Sequence, residues 1–166
     1  MFAGSESSMD PTAACDHLRH DHRQMEECLD RLFAAVSHPG PELVAQVRSA
    51  ISSLQRLEAV HFEKEESLFY PKLRPAFPDL LGKMDLQHKD VRELDHLVSD
   101  LLSAPPEFPE ARWTDELCRS CVELHDRIQH HIVDEEDQLF RLADRDLTPA
   151  DQAMLVAGFE KIQSRA

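Results

Sequence analysis

The sequence predicts an all-α protein, a four-helix bundle with a short additional helix at its C-terminus. Leu, Ala, Glu, Arg and Gln are abundant among the 166 residues and there are only 4 Gly, a composition that favours helix. Alternating runs of Val, Ile and Thr, which are typical of strands, are missing. Four long segments instead carry apolar residues at alternating three- and four-residue steps, the pattern of a helix with one buried face. The length is sufficient for one compact domain.

Prolines divide the chain into its predicted helices. Asp10 and Pro11 give the first helix a cap and a first residue, and Thr148 caps the last. Pro71 is expected to end the second helix, because proline lacks the backbone N–H that the next turn needs. The first three long helices are predicted at about 11–36, 41–70 and 79–103. The fourth should begin between Pro109 and Thr114 and reach about 144, and the fifth should cover about 149–164.

These helices suggest one domain with two flanking segments. Residues 1–9 are small and polar and are expected to be a disordered N-terminus. Residues 10–146 should form the bundle, in which short links make neighbouring helices antiparallel. Residues 147–166 should form a helix that packs on the bundle. The apolar face of this last helix either caps the bundle or dimerises, so we expect a monomer or a homodimer; that face consists of Met154, Leu155, Phe159 and Ile162.

The apolar stripes of the four long helices repeat. The stripe of the fourth helix is that of the second shifted by 70 residues, and the stripe of the third is that of the first shifted by 66. The chain therefore reads as a helical hairpin repeated twice. The second stripe runs through Val47, Ile51, Leu54, Glu58, His61, Glu65 and Leu68, and the fourth through Leu117, Cys121, Leu124, Ile128, His131, Glu135 and Gln138.

Six polar residues interrupt these apolar stripes at matching places. Two pairs have the i, i+4 spacing that points both side chains from one face of a helix, and two single histidines occupy equivalent places on the first and third helices. Uncompensated burial of four imidazoles and two carboxylates would cost several kcal/mol per charged group. Bound cations would remove that cost. The six candidate metal ligands are His22, His61, Glu65, His88, His131 and Glu135.

The donor types limit the metal. Nitrogen and oxygen donors without thiolate, with two carboxylates shared between two ions, suit iron or manganese better than a tetrahedral structural zinc. Six protein donors for two ions also leave coordination positions open to water or a small ligand. The pattern therefore indicates a reactive centre with two metal ions.

The ordered residues resemble the hemerythrin-like domains known as HHE cation-binding proteins, whose pattern is H…HxxxE…H…HxxxE. The resemblance covers about residues 14–145 and includes the context of the ligands, from Leu18 to Arg23 and from His61 to Pro71. It implies an up-down-up-down bundle and a non-haem di-iron site, oxo- or hydroxo-bridged, in which Glu65 and Glu135 bridge two Fe ions.

One departure bears on function. Oxygen-carrying hemerythrins have two histidines one turn apart on the third helix, whereas Arg92 stands one turn after His88 here. The sequence is therefore more similar to a bacterial branch, and this weakens a dedicated oxygen-transport role. The resemblance implies that the partner is a small diatomic ligand or peroxide.

Three functions stay open at this point. The first is a di-iron protein that reacts with or senses oxygen, nitric oxide or peroxide. The second is an enzyme that decomposes peroxide or donates iron for cluster repair with the same centre. The third is a helical interaction protein without metal, which would bind no less metal after His61→Ala and His131→Ala.

Several residue roles also stay open. His17 or His20 replaces His22 if the register of the first helix differs. Glu58 either hydrogen-bonds an imidazole or faces solvent. Glu66 and Glu136 have the same two alternatives, a hydrogen bond to a ligand histidine or a solvated position. The Cys-x-x-Cys formed by Cys118 and Cys121 is expected to be structural, with redox or zinc chemistry as the alternative.

The charge of the chain argues against two partner classes. A formal net charge of -14 repels nucleic acid and anionic lipid. No apolar run approaches the roughly 18–20 residues of a membrane span. The first nine residues lack the basic and apolar regions of a secretory signal. We therefore expect no nucleic acid, no membrane and a cytoplasmic location.

Overall fold

A computed structural model describes residues 13–106 and 110–166 of the chain. Of these residues 87% are helical and none is in a strand, so the predicted all-α bundle with a C-terminal helix is confirmed. The predicted helix start at Asp10 and Pro11 and the predicted disorder of residues 1–9 lie outside the described residues.

The described part of the chain forms four helical rods and a fifth helix. Two of the rods contain a π-helical turn, in which each backbone N–H bonds five residues back instead of four. The helices are α1 (Ala14–Ser37), α2 (Leu43–Lys64), α3 (Tyr70–Leu73), α4 (Pro78–Ser103), α5 (Ala111–Asp134), α6 (Phe140–Asp146) and α7 (Pro149–Gln163). The π turn Glu65–Phe69 joins α2 to α3, and the π turn Glu135–Leu139 joins α5 to α6.

The rods form a closed bundle. α1 packs against α2 and α5, and α4 packs against the same two helices. Consecutive rods are joined by short links, which makes neighbours antiparallel. α7 packs on the outside, against α1 and α2.

The end of the second rod differs from the prediction. Pro71 does not stop the helix, which continues to Leu73. The backbone N–H of Tyr70 bonds the carbonyl of Glu65, five residues back, so the π turn changes the hydrogen-bond register just before the proline. The missing N–H of Pro71 is accommodated by this change.

The π turns also move the buried stripe by one residue. The predicted stripe ended at Leu68 and Gln138, but Leu68 is half-buried and Gln138 is exposed. Phe69 and Leu139 are fully buried in their place. A wider turn holds one extra residue, so the face that points inward shifts along the sequence.

Two apolar clusters fill the bundle on either side of the six polar residues. One lies toward the α1–α2 link and includes Leu32, Leu54, Val98 and Leu124. The other lies toward α7 and includes Leu18, Phe69, Phe140 and Phe159.

The last helix covers the second of these clusters. Thr148 caps α7 as predicted, in a reciprocal capping box with Asp151. Leu155, Phe159 and Ile162 are buried against the bundle, whereas Met154 is exposed. No helix within 13–106 or 110–166 is long and apolar enough to cross a membrane.

Candidate metal centre

The structure brings all six predicted ligand residues together in the middle of the bundle. One histidine comes from each of α1, α2, α4 and α5, and each of the two glutamates is the first residue of a π turn. All six side chains have no exposed surface; they are His22, His61, Glu65, His88, His131 and Glu135.

The donor atoms form two groups, one on each side of the glutamates. In the first, His22 Nε2 lies 3.2 Å from His61 Nε2. His61 Nε2 is 3.2 Å from Glu65 Oε1, and His22 Nε2 is 3.2 Å from Glu135 Oε2. This group, His22, His61, Glu65 and Glu135, has one donor atom from each residue with all four within 4.8 Å of one another.

The second group contains His88 and His131, whose Nε2 atoms are 3.1 Å apart. His88 Nε2 is 3.2 Å from Glu65 Oε2. Because Glu65 Oε1 faces the first group and Oε2 the second, its carboxylate spans both. Glu65, His88 and His131 again place their donor atoms within 4.8 Å of one another.

These distances fit metal ions. Metal–nitrogen bonds of about 2.1 Å put adjacent ligands about 3.0 Å apart and opposite ligands about 4.2 Å apart, close to the spacings observed. Glu65 Oε1 and Glu135 Oε2 are buried and accept no hydrogen bond. Buried carboxylate oxygens without a hydrogen-bond donor are costly, and a coordinated cation would compensate both. The donor set and the unpaired oxygens therefore fit a metal centre.

Carboxylates behind two of the histidines fix their orientation. His22 Nδ1 donates to Glu136 Oε1 over 2.9 Å, and His88 Nδ1 donates to Glu66 Oε1 over 2.7 Å. Arg23 and Arg92 in turn donate to these two glutamates. Hydrogen bonds of this kind hold the other ring nitrogen toward the site. The open question about these residues is thereby answered: Glu66 and Glu136 hydrogen-bond histidines.

The other two histidines have unlike partners. His61 Nδ1 is 3.4 Å from Asp21 Oδ2, and Lys64 Nζ donates to the same oxygen over 2.7 Å.

At the equivalent place in the second hairpin, His131 Nδ1 is 3.1 Å from Gln87 Oε1. The Gln87 amide nitrogen donates to Asp134 Oδ2 over 2.6 Å, which fixes the amide oxygen toward His131. One histidine is thus backed by a carboxylate and the other by an amide.

Tyr70 brings a hydroxyl group into the site. Its O–H donates to Glu135 Oε1 over 2.6 Å, and its oxygen lies 3.3 Å from Glu65 Oε2 and 3.1 Å from His88 Nε2. The corresponding residue of the second hairpin is Phe140, whose ring stacks on His22 at 5.4 Å between centroids. The hydroxyl therefore lies on one side of the site only.

Burial and charge set the protonation of the metal-free site. Burial alone would lower the pKa of His61, but Glu65 and Asp21 raise it to about 10. Burial raises the pKa of Glu65, yet His61 and His88 bring it well below its usual range. Burial and the Glu65 charge leave the pKa of Glu135 raised. His61 therefore stays protonated at neutral pH in the metal-free site. A cation that binds there would displace this proton.

The alternative ligands of α1 lie elsewhere. His20 is exposed, and the ring of His17 packs on Phe159 at 6.4 Å. Among the nearby histidines of this helix, His22 is the one whose Nε2 points at His61.

The cysteines show no sign of redox chemistry. Cys118 and Cys121 are free. Burial raises the pKa of the Cys121 thiol to about 12, which keeps it in the unreactive protonated form. Their predicted structural role agrees with this environment.

Glu58 takes neither of the two positions predicted for it. It is buried, with 3% of its surface exposed, and its Oε1 has no hydrogen-bond partner. Its carboxyl lies beside Asp95, so it is neither a surface residue nor the hydrogen-bond partner of His61, which is Asp21.

Asp21, Lys64, Tyr70 and Gln87 were missed by reasoning from the sequence. A signal for two of them was present, because Asp21 and Gln87 precede His22 and His88 at the same place in the 66-residue repeat. Each serves the histidine of the neighbouring helix, however, so the partner follows only from how the helices pack.

A comparison with protein families identifies the chain as a cation-binding domain. A search of curated proteins finds no match to the chain. The family model described as the hemerythrin HHE cation binding domain matches residues 13–143, a range that contains all six donor residues. A match over most of the length shows the family: the chain belongs to the hemerythrin HHE cation-binding domain family.

Proposed function

We propose that the protein is a non-haem di-iron protein that reacts with or senses oxygen, nitric oxide or peroxide. The observation that carries this proposal is the pair of donor groups joined by Glu65, with four imidazoles, two carboxylates and no thiolate. Nitrogen and oxygen donors of this kind suit iron. A bound pair of iron ions would supply the electrons that a small oxidising ligand takes up.

The side chains define what the protein contributes. Glu66 and Glu136 hold His88 and His22 with the Nε2 atoms inward. The two apolar clusters on either side limit the water around the donors, which strengthens electrostatic interactions within the site. The chain thus supplies an oriented donor set in a shielded layer of the bundle.

Metal analysis and absorption spectroscopy test this proposal. Protein produced with iron available should carry about two irons per chain, with a near-ultraviolet charge-transfer absorption that disappears on reduction. His131→Ala should lose most of this iron, while the matched variant His130→Ala should keep it because His130 is exposed. Stoichiometric zinc without that absorption would contradict the proposal, as would equal iron in both variants.

Tyr70 favours a second function, the decomposition of peroxide by the same centre. Its O–H reaches Glu135, Glu65 and His88, so a proton donor stands within the donor set. Proton transfer from a positioned side chain typically contributes about 10²–10⁴-fold to a rate. Cleavage of an oxygen–oxygen bond to give water consumes protons, and a hydroxyl at this place could deliver them.

Peroxide turnover by the iron-loaded protein separates the two functions. Tyr70→Phe removes only the hydroxyl, so iron content should be kept while turnover falls at least about tenfold. Glu65→Ala should lose both iron and turnover. Peroxide turnover that is absent from the parent, or unchanged in Tyr70→Phe, would leave the first function as the better proposal.

A further inference from the structure

The last helix lies outside the matched family domain, yet it contacts the bundle beside the donor set. The match to the family model ends at residue 143, whereas α7 covers Pro149–Gln163. α7 packs against α1, against α2 and against the π turn that begins with Glu65. Leu68 of this turn lies against Gly158, where an added Cβ atom would come within 2.6 Å of Leu68 Cδ1. The helix therefore fits closely on a segment that carries a predicted metal ligand.

A chain of hydrogen bonds leads from α7 to one of the donor histidines. The Lys64 ammonium donates to Gln163 Oε1 over 3.0 Å and to Asp21 Oδ2 over 2.7 Å. The same Asp21 oxygen lies 3.4 Å from His61 Nδ1. The other ring nitrogen of His61 faces His22 and belongs to the donor set. The last residue of α7 is thus connected to the back of the His61 imidazole.

The place of Asp21 depends on the ion pair that it forms. Lys64 is 3% exposed and Asp21 7%, and a buried charge that loses its partner is strongly destabilising. A distance of 3.4 Å is long for a hydrogen bond, so a small movement of the Asp21 carboxylate would break its contact with His61. Gln163 accepts from Lys64 at the cleft between α1 and α7, which these three side chains help to line. Gln163 therefore helps to fix Lys64, and Lys64 fixes Asp21.

The corresponding chain in the second hairpin ends differently. His131 is backed by Gln87, and Gln87 by Asp134. Asp134 then accepts from Lys83, an exposed residue. Of these two chains, the one behind His61 ends on α7 and the other ends on an exposed lysine.

We propose that α7 supports the metal centre and that Lys64 and Gln163 are positioning residues, which fix Asp21 behind His61. A hydrogen bond at one ring nitrogen of a histidine directs the other nitrogen toward the metal, so docked α7 raises the affinity for metal. By linkage, bound metal stabilises the docked helix by the same factor. The inference rests on the proposed metal centre, whichever metal and reaction that centre has.

Calorimetric titration of the metal-free, full-length protein with Co²⁺ tests the role of Gln163. Gln163→Leu removes the acceptor and should weaken Co²⁺ binding about 3- to 10-fold, less than the roughly 10- to 100-fold typical of a group that contacts the ligand histidine itself. Gln163→Glu keeps an oxygen acceptor and should retain the affinity of the parent.

Gln152→Leu is the matched control. Gln152 Oε1 accepts from the backbone N–H of Ala14 over 2.7 Å, so this variant also loses one hydrogen bond between α7 and the bundle, but at a place without a link to His61. Its apolar face keeps α7 docked, and Co²⁺ affinity should stay that of the parent. Unchanged affinity in Gln163→Leu, or an equal loss in Gln152→Leu, would overturn the role of Gln163 and leave the metal centre standing.

A double-mutant cycle tests whether Gln163 acts through Asp21. Gln163→Leu should weaken Co²⁺ binding in the parent and have no further effect in Asp21→Asn, because the group through which it acts is already lost. An equal loss in both backgrounds would mean that Gln163 acts by another route and would overturn the chain. If Asp21→Asn fails to fold, the comparison of Gln163→Leu with Gln152→Leu decides.

Hydrogen exchange of the α7 backbone amides tests the reciprocal effect in the parent. Co²⁺ should slow exchange in α7, and this slowing should be smaller in Gln163→Leu. Exchange in α7 that does not respond to Co²⁺, in a parent that binds the ion, would overturn the coupling alone. A parent that binds no Co²⁺ would overturn the proposed centre and the inference together.

Discussion

At the scale of single residues, Glu58 is a buried acid outside the donor set. It lies one turn before His61 on α2, and both its Oε1 and Asp95 Oδ1 are buried without a hydrogen-bond partner. Burial and the neighbouring Asp95 carboxyl raise the pKa of Glu58 well above its usual range, and His61 offsets this only in part. Glu58 therefore binds its proton more tightly in the folded chain than in the unfolded one.

This difference makes the free energy of unfolding depend on pH. Since the folded state holds the Glu58 proton longer, the group costs stability as the pH rises above about 4.3, the pKa of an unfolded glutamate. Glu58→Gln removes the ionisation, so it should raise the free energy of unfolding by about 1–3 kcal/mol at pH 8 and change it little at pH 4. Urea unfolding of the metal-free protein at both pH values measures this.

A matched control is Glu27→Gln, an exposed residue of α1, which should have no such pH dependence. Destabilisation of Glu58→Gln at pH 8 would mean that the carboxylate is needed in its charged form.

Some residues of the site follow from the sequence and others do not. The pairs His61 with Glu65 and His131 with Glu135 follow from local helix geometry, which puts positions i and i+4 on one face. Asp21 and Gln87 contact histidines of other helices. Their partners depend on how the helices are rotated in the bundle, which the spacing within one helix does not determine.

At the scale of elements, the two π turns are the main feature that helical periodicity misses. Each begins at a glutamate of the site and holds one extra residue. Because the prediction assumed 3.6 residues per turn throughout, it was right for the stripes up to Glu65 and Glu135 and wrong by one residue beyond them. The helices themselves were predicted well, apart from the end assigned to Pro71.

Deletion of one residue tests whether the π turn contains one residue more than the helix needs to keep its buried face in register. Removing Asp137 from the second π turn would leave Leu139 and Phe140 three and four residues after Glu135, which is the same face of a regular α-helix. We expect ΔAsp137 to cost less than about 2 kcal/mol and to keep the metal. ΔArg127, an equally exposed residue within α5, should rotate the buried face by about 100° and cost more than about 4 kcal/mol.

Thermal unfolding and metal content measure both deletions. If ΔAsp137 and ΔArg127 lower the stability and the metal content equally, the π-helical geometry itself is required, and the second π turn is more than a place for an extra residue.

At the scale of the whole molecule, the polar layer separates two apolar clusters. The clusters consist of buried apolar side chains, whereas the layer between them holds charged groups with unpaired oxygens. Burial of such groups opposes folding unless a cation compensates them. The free energy of metal binding would therefore add to the stability of the bundle, because α1 and α4, which each carry a donor histidine, contribute residues to both clusters.

Chelation should lower the melting temperature of the protein for this reason. An ion present at about 1,000 times its dissociation constant stabilises the folded state by about 4 kcal/mol, and each kcal/mol corresponds to about 2–4 °C in a domain of this size. We expect the metal-free protein to melt at least about 8–16 °C lower, the shift that one such ion would cause. In His61→Ala, chelation should change the melting temperature much less, whereas in His20→Ala, an exposed neighbour of His22, the full difference should remain. An equal melting temperature with and without chelator in the parent would mean that the polar layer is compensated by its own ion pairs, such as those of His61 and His88 with Glu65.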